Sequence, residues 1–155
     1  MALPSDHLFY QELSQKLKRY LEFKIPVLEQ YSIDEFFGDL NGWIKDSDTL
    51  DFIKDLRDEI KAKFDLPITI GASCSKWIAK LITDRVKPFG VYCLEENRVL
   101  DYTKDIDVND FPGVGKAISK KLADYRIKTL GELRERPNLL YAYGKTGRDL
   151  YNRIC

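Results

Sequence analysis

The spacing of apolar residues predicts three helices in the first 90 residues of the chain, over residues 5–22, 47–64 and 75–85. In the first of these the apolar positions recur at every fourth residue, at Phe9, Leu13, Leu17 and Leu21. Each helix begins at a side chain that can accept hydrogen bonds from the first turn: Ser5, then Ser47 or Asp48, then Ser75.

Short runs rich in β-branched and aromatic residues predict four strands. They cover residues 27–33, 34–40, 66–71 and 89–94. Pro26 ends the first helix before them, because proline cannot continue a helix. After residue 110 the pattern is helical throughout. This order predicts an α+β fold, in which a mixed or antiparallel sheet with helices is followed by a small all-α unit.

Charge divides the chain although its formal net charge is zero, with 25 basic and 25 acidic residues. Residues 1–111 carry a net charge of −6, and residues 112–155 carry +6. Zero net charge excludes a uniformly basic protein that coats nucleic acid, but the split predicts a basic surface for phosphates and an acidic site elsewhere. Six carboxylates crowd residues 95–110, which indicates a solvated connection. We therefore expect domains at residues 1–94 and 111–155, joined by this acidic connection.

Composition excludes several classes of protein. No run approaches the roughly 20 apolar residues of a membrane helix, and the first six residues lack the features of a signal peptide. One histidine, His7, and three cysteines without a Cys-x-x-Cys pair argue against a zinc framework and against acyl-transfer chemistry. The odd number of cysteines predicts a reducing, cytoplasmic environment, with the thiols packed as small hydrophobic groups. We expect any bound metal to be a hard cation held by carboxylates.

The first candidate for chemistry is the acidic pair Asp34-Glu35, which lies between two predicted strands. Neighbouring side chains of an ideal strand point to opposite faces, so the two carboxylates can share a metal only if the chain turns or bulges there. Polymerase-type phosphoryl transfer needs carboxylates that hold two Mg²⁺ ions roughly 3.5–4 Å apart. On its own the pair favours a solvated acidic turn, because such dipeptides are common.

The second candidate is a set of lysines around the helix predicted at residues 75–85. A strand ends at Gly71 in a turn of small residues, and the free amides at the start of the following helix can bind an anion. Lys76 and Lys80 lie one turn apart on that helix, and Lys80 is explained equally well by a solvated face. Lys87 precedes a proline, and this rigid turn favours contact with a phosphate.

The third candidate is the turn Phe111-Pro112-Gly113-Val114-Gly115, which precedes an amphipathic helix. Two glycines allow the backbone to present successive amides as a nest that grips a DNA phosphate without reading bases. Lys116 and Lys120 lie beside this turn. A tight turn between two packed helices is the alternative, but the basic surroundings favour a helix-hairpin-helix that binds DNA. Residues 143–148 form a second, weaker turn of small and basic residues.

Together these segments resemble the Y-family (translesion) DNA polymerases, the group of bacterial UmuC and DNA polymerase IV. Residues 30–36, Gln-Tyr-Ser-Ile-Asp-Glu-Phe, are similar to the Ser-Ile-Asp-Glu catalytic segment of that family, and Asp39 follows them. Residues 69–90 are similar to its palm helix and to the lysine that meets the incoming triphosphate. Residues 111–133 are similar to the hairpin of its thumb. The resemblance covers almost the whole chain in the same order.

The resemblance implies a partial palm over residues 1–94 and a helix-hairpin-helix thumb over residues 111–155. It also implies DNA-directed DNA polymerase activity in damage tolerance and repair, with Mg²⁺ as the cofactor in a two-metal site. Asp34 and Glu35 would be the catalytic metal ligands, and Lys87 would bind the incoming nucleoside triphosphate. The residues that would contact the backbone of the primer-template DNA are Gly113, Gly115, Lys116 and Lys120. A sliding clamp is a further partner implied for other regions of such a protein.

The chain departs from the family in two respects. Ser75 stands where the family usually has asparagine before the lysine. The first catalytic aspartate and the fingers of the family precede the segment that this chain resembles, and the little-finger domain follows it. We therefore expect a fragment of a longer polymerase, with an incomplete two-metal site and no primer extension by the isolated chain.

Two other functions fit parts of the pattern. One is a non-enzymatic DNA-binding helix-hairpin-helix module whose α+β part serves partner contacts, and the presence of both Asp34 and Glu35 argues against it. The other is a small-molecule nucleotidyltransferase, and the basic hairpin lobe argues against that function.

Overall fold

The computed structural model describes residues 6–155, so the helix cap predicted at Ser5 lies outside the described residues. The chain divides into two compact units, Met1–Thr49 and Leu50–Cys155. The acidic connection predicted at residues 95–110 therefore lies inside the second unit.

A long amphipathic helix dominates the first unit. Helix α1 (His7–Lys24) is capped by Asp6, whose carboxylate accepts a hydrogen bond from the amide of Phe9 at 3.2 Å. The buried side chains of this helix are Ser14, Leu17 and Leu21. Phe9 is 56% exposed, so the predicted apolar stripe is buried in its second half and open to solvent at its start.

An antiparallel hairpin follows α1 in the same unit. Strand β1 (Val27–Gln30) pairs with strand β2 (Phe36–Asp39). The strands predicted over residues 27–33 and 34–40 are therefore present, but both stop short of the segment between them. That segment forms the turn of the hairpin and carries the acidic pair.

In the second unit, helix α2 (Asp46–Phe64), which begins in the first unit, leads to a parallel strand pair. Strands β3 (Ile70–Ala72) and β4 (Val91–Cys93) pair in parallel, and helix α3 (Lys76–Arg85) connects them. Gly71 allows β3 to lie close to α3, because a Cβ at this position would collide with the helix backbone. The predicted mixed or antiparallel sheet is thus, in the described residues, two separate two-stranded sheets, one antiparallel and one parallel.

Short helices make up the rest of the second unit. They are, in the described residues, α4 (Val99–Thr103), α5 (Lys116–Asp124), α6 (Leu130–Arg134), α7 (Asn138–Tyr141) and α8 (Gly144–Ile154). Single 3₁₀ turns at Glu96–Arg98 and Val108–Asp110 precede α4 and α5. The helical character predicted after residue 110 is confirmed.

One hydrophobic core runs through the second unit. It contains Ile78, Leu81 and Ile82 of α3 together with buried residues of α5 to α8. The acidic segment also contributes to it, because Val99 and Ile106 are only 5% and 3% exposed. The carboxylates of that segment are all exposed, as the charge pattern predicted, but the backbone is packed into the core rather than being only a solvated connection.

No helix within residues 6–155 is long and apolar enough to cross a membrane.

The cysteines test the prediction that the thiols pack as small hydrophobic groups. The three cysteines are free thiols. Cys74 and Cys155 are exposed, so the prediction that all three pack as small hydrophobic groups is wrong for these two. Cys93 lies on β4 and is partly buried.

A partly buried arginine links three helices of the second unit. The guanidinium of Arg134, on α6, donates to the carbonyl oxygen of Ile154 at 3.1 and 2.8 Å and to the hydroxyl of Thr103 at 2.6 Å. The pKa of Arg134 is lowered from its ordinary value because burial removes water from the charged group. These hydrogen bonds fix the end of α8 against α4 and α6.

We predict that Arg134→Gln destabilises the chain by roughly 1.5–3 kcal/mol, the range for hydrogen bonds to charged groups. The carbonyl of Ile154 and the hydroxyl of Thr103 would lose their common donor. Urea unfolding followed by circular dichroism measures the change. Arg136→Gln, at an exposed arginine just beyond the same helix, is the matched control and should cost less than about 0.5 kcal/mol. Equal losses for the two variants would contradict this role of Arg134.

Candidate functional site

The acidic pair lies in a tight turn at the tip of the β1–β2 hairpin. The amides of Tyr31 and Ser32 both donate to the carbonyl oxygen of Glu35, at 2.9 and 3.2 Å, and close the turn. The hydroxyl of Ser32 lies 2.9 Å from a carboxylate oxygen of Asp34 and 3.4 Å from one of Glu35. The two carboxylates are therefore on the same side of the turn, which a shared cation requires and an ideal strand would prevent.

A buried serine holds the backbone of this turn. Ser14, on α1, donates from its hydroxyl to the carbonyl oxygen of Ile33 and accepts a hydrogen bond from the side-chain amide of Gln30 at 3.1 Å. The sequence pattern gives no role to Ser14, and it includes Ser32 only as part of the segment similar to the catalytic segment of the family. The one signal for Ser14 is a hydroxyl on the buried side of an amphipathic helix, where an unpaired polar group would be costly.

The turn offers hard oxygen donors to a cation. Magnesium in phosphoryl-transfer sites is usually bound through one or two carboxylates, while water and substrate phosphates complete its shell. Asp34, which is exposed, and Glu35, which is partly buried, supply two such carboxylates. Within residues 6–155 the structure brings no group of three His, Cys, Asp or Glu side chains together, so these residues provide a partial site.

The lysines predicted to bind phosphate lie on and after α3. Ser75 caps α3 as predicted, and its hydroxyl accepts a hydrogen bond from the amide of Ile78 at 3.3 Å. Lys80 is partly buried rather than on a fully solvated face. Lys87 is exposed beyond the end of α3, and its ammonium lies 2.8 Å from a carboxylate oxygen of Asp84. A phosphate at Lys87 would therefore take the place of a carboxylate.

The glycine turn predicted to grip DNA connects a 3₁₀ turn to α5. Gly113 has a φ of +102°, a conformation that residues with a Cβ rarely adopt. Phe111 is 2% exposed and anchors the turn in the core, and its carbonyl oxygen accepts a hydrogen bond from the amide of Val114 at 3.1 Å. No described heavy atom lies within 4 Å of the position that a Cβ on Gly115 would take. The turn thus presents open backbone at Gly115.

Two of the predicted lysines follow the turn directly. Lys116 and Lys120 lie one helical turn apart on α5, and both are exposed. No described side chain caps the start of α5, which follows Gly115. The free amides and the two ammonium groups place positive charge beside the turn. The structure thus brings together the four residues predicted for DNA binding, Gly113, Gly115, Lys116 and Lys120.

The segment predicted as a second basic turn, residues 143–148, is instead the start of α8, and it contains a glycine with a packing role. A Cβ on Gly147 would collide with the carbonyl oxygen of Leu140, so glycine is required where α7 meets α8. The hydroxyl of Tyr143 donates to the carbonyl oxygen of Ala117 on α5 at 3.3 Å. This hydrogen bond ties the start of α8 to the start of α5.

Comparisons with known families and proteins give the relatives of the chain. The sequence model of the impB/mucB/samB family matches residues 1–84. DNA polymerase IV of Shewanella frigidimarina is 32% identical over 156 residues, which cover 99% of this chain and 44% of that protein. DNA polymerase IV 1 of Halalkalibacterium halodurans is 30% identical over 133 residues, which cover 86% of this chain and 32% of that protein. The chain thus spans less than half the length of the curated relatives it matches.

Solved structures share the fold of the chain. The crystal structure of DinB from Sulfolobus solfataricus matches with a TM-score of 0.88 at 23% identity, over 99% of this chain and 47% of that one. An insertion ternary complex of Dbh DNA polymerase matches with a TM-score of 0.89 at 22% identity, over 99% of this chain and 46% of that one.

The family assignment depends on the sequence match, which includes the acidic turn and covers more than half of the chain. The resemblance to Y-family DNA polymerases that the motifs predicted is thereby confirmed. The solved structures add that the same fold extends over the second unit. The chain belongs to the impB/mucB/samB family.

Proposed function

We propose that this chain carries part of a translesion, DNA-directed DNA polymerase, which transfers nucleotides to a primer 3′-end opposite damaged template. The observation that carries the proposal is the acidic turn, where one hydroxyl lies within hydrogen-bonding distance of both Asp34 and Glu35. The curated relatives, which are named DNA polymerase IV, support the same activity. The proposal includes a cytoplasmic location, and primer-template DNA, a nucleoside triphosphate and a sliding clamp as partners.

Asp34 and Glu35 would hold Mg²⁺ in this proposal. When bound, Mg²⁺ neutralises charge on the transferring phosphates and lowers the pKa of the attacking hydroxyl. The chain itself orients the two carboxylates, because the closed turn and the hydroxyl of Ser32 keep them on one side. Ser14 ties the turn to α1, because its hydroxyl donates to the carbonyl oxygen of Ile33. Since the ligands are oriented before the substrate arrives, little reorganisation accompanies the reaction.

Lys87 would bind the triphosphate of the incoming nucleotide. The side chains of Lys87 and its partner Asp84 are 57% and 51% exposed. An ion pair as exposed as this contributes little to stability, because water screens it. Exchanging the carboxylate for a triphosphate oxygen therefore costs little.

The glycine turn and α5 would hold the backbone of the DNA. Backbone amides of the turn approach one phosphate, while Lys116 and Lys120 add positive charge that is independent of sequence. In this assignment residues 111–155 form a helix-hairpin-helix thumb and residues 1–94 form part of a palm. The net charge of +6 on the last 44 residues supports the DNA-binding part of the proposal.

We predict that Asp34→Asn and Glu35→Gln each abolish nucleotide transfer. Because residues 6–155 provide a partial metal site, the measurement uses a chimera in which this chain replaces the matching segment of the Shewanella frigidimarina DNA polymerase IV. Each substitution keeps the shape of the side chain but removes its charge, and primer extension should fall at least about 100-fold. Binding of primer-template should stay within about threefold, because phosphate contacts dominate the affinity.

Glu12→Gln, at an exposed glutamate of α1, is the matched control and should leave primer extension unchanged. Two outcomes would contradict the proposed activity. One is a folded, unsubstituted chimera that binds DNA but extends no primer, which would favour the non-enzymatic DNA-binding module. The other is primer extension at the unsubstituted rate by both variants, which would make the acidic pair a solvated turn.

We predict that Gly115→Ala weakens binding of the chain to duplex DNA without unfolding it. Gly115 has a φ of −85° and open space around its Cβ position, so the folded chain accepts alanine there. The added methyl group would stand where a phosphate approaches the backbone. A labelled duplex, titrated at two salt concentrations, should bind the unsubstituted chain in roughly the 10⁻⁴–10⁻⁶ M range of non-specific binding, and the variant more weakly.

Lys120→Gln is the comparison that distinguishes DNA binding by the backbone of the glycine turn from DNA binding by a patch of basic side chains. Removing one ammonium should weaken binding less than Gly115→Ala does. If that lysine neutralises one phosphate, the slope of log affinity against log salt concentration should also become shallower by about 0.9. Normal binding by a Gly115→Ala variant that circular dichroism shows to be folded would exclude a role for the glycine backbone.

A further inference from the structure

Arg153 combines a fixed position with an unused set of hydrogen-bond donors. The guanidinium carbon of Arg153, on α8, lies 4.2 Å from the centroid of the Trp77 ring on α3, well within the range of a cation–π interaction. Within the described residues the guanidinium makes no hydrogen bond and no ion pair, even with Asp149 one turn earlier on the same helix. Since a guanidinium carries five N–H donors, this partly buried group remains available to an anion.

The same arginine lies beside the glycine turn. Atom Nη1 of Arg153 is 3.7 Å from the position that a Cβ on Gly113 would take, and Leu150 Cδ1 is 3.4 Å from it. Both distances are ordinary van der Waals separations, so the apolar face of α8 and the guanidinium lie directly against the turn. The end of α8 and the turn form one continuous surface.

A second cation lies against the same tryptophan. The ammonium of Lys76 is 5.2 Å from the centroid of the Trp77 ring. The ring of Trp77 on α3 therefore contacts the neighbouring lysine of its own helix as well as the guanidinium from α8.

We propose that Arg153 contacts a backbone phosphate of duplex DNA next to the phosphate held by the glycine turn, and that Trp77 is the positioning residue that holds the guanidinium in place. The inference rests on the proposed DNA binding by that turn and adds a second phosphate site to it. Arginine suits this role because its planar group donates two parallel hydrogen bonds to one phosphate, and stacking on an aromatic ring leaves those donors free.

The test measures affinity for a labelled duplex of mixed sequence over a series of salt concentrations. Arg153→Gln should weaken binding about tenfold at low salt, the loss typical of a hydrogen-bonded charge pair. The slope of log affinity against log salt concentration should also become shallower by about 0.9, because one fewer phosphate is neutralised. An unchanged salt dependence in Arg153→Gln overturns the proposal.

Trp77→Phe separates positioning from charge. Phenylalanine keeps a ring in the core but attracts a cation less strongly than tryptophan does. Affinity should fall while the salt dependence stays that of the unsubstituted chain, because the arginine and its charge are retained. If Trp77→Phe binds DNA as the unsubstituted chain does, Trp77 has no positioning role.

Arg98→Gln is the matched control for charge, since Arg98 is an exposed arginine of the acidic segment in the same unit. It should leave the salt dependence unchanged. Equal effects of Arg98→Gln and Arg153→Gln would assign the loss to net charge and overturn the proposal. Circular dichroism and urea unfolding of every variant show whether a loss of binding comes from a loss of folding, and Arg153→Lys, which keeps the charge, should restore the salt dependence.

Fluorescence gives a readout that a purely structural arginine would not change. The chain has two tryptophans, Trp43 and Trp77, so a Trp43→Phe background isolates the emission of Trp77. Adding duplex should change that emission because the stacked guanidinium gains a phosphate partner, and Arg153→Gln should abolish the change. The same emission change in Arg153→Gln would overturn the assignment.

The outcomes also separate this inference from the proposed function. If the unsubstituted chain binds no duplex, the proposed DNA binding fails and the inference fails with it. If the chain binds duplex and Gly115→Ala weakens the binding while Arg153→Gln does not, the glycine turn remains a DNA-binding element and only the role of Arg153 is refuted.

Discussion

The burial of α3 and the C-terminal helices in one hydrophobic core is the constraint on which the second unit depends. Ile78 and Leu81 of α3 share that core with Leu150 and Ile154 of α8. The free energy gained by burying apolar side chains depends on the buried area and has no preferred direction. The core alone would therefore permit many arrangements of the helices. Contacts to two backbone carbonyl groups select one arrangement. The carbonyl of Leu140 leaves room only for glycine at position 147, and the carbonyl of Ile154 accepts a hydrogen bond from Arg134. These contacts set where α8 lies against α4, α6 and α7.

The acidic turn depends on a different kind of interaction. Few apolar contacts are available at the tip of a two-stranded hairpin, and such hairpins are marginally stable alone. Hydrogen bonds stabilise the tip instead. The amides of residues 31 and 32 donate to the carbonyl oxygen of Glu35, and the hydroxyl of Ser14 donates to that of Ile33. Within the turn that these bonds close, the hydroxyl of Ser32 lies within hydrogen-bonding distance of both carboxylates. The placement of the two carboxylates and the local stability of the turn thus depend on one small segment of the first unit.

The sequence predicted the structure best where a feature depends on local backbone geometry. The Ser75 cap, the glycine turn before α5 and the acidic pair between two strands all follow from residues close together in the chain, and the structure has each of them. Helix and strand order was also predictable from periodicity. Strand ends were less so, because the turn at Asp34 interrupts an apolar pattern that continues on both sides.

Contacts between distant residues were beyond the reach of the sequence pattern. The pairing of Ser14 with Ile33 and the stacking of Arg153 on Trp77 join residues 19 and 76 positions apart, and neither leaves a local signature. The packing of the acidic segment was hard to predict for a related reason. Its exposed carboxylates dominate the composition, whereas a few apolar residues between them, such as Val99, decide that its backbone packs into the core.

The central claim is that backbone amides of the glycine turn, and not surface charge in general, hold DNA. Amide chemical shifts of the isotope-labelled chain during titration with a short duplex test it most directly. The account predicts the largest shifts at the amides of Gly113, Gly115 and Lys116, with smaller ones on the rest of α5. Shifts spread over exposed lysines of both units, with the glycine amides unchanged, would contradict it.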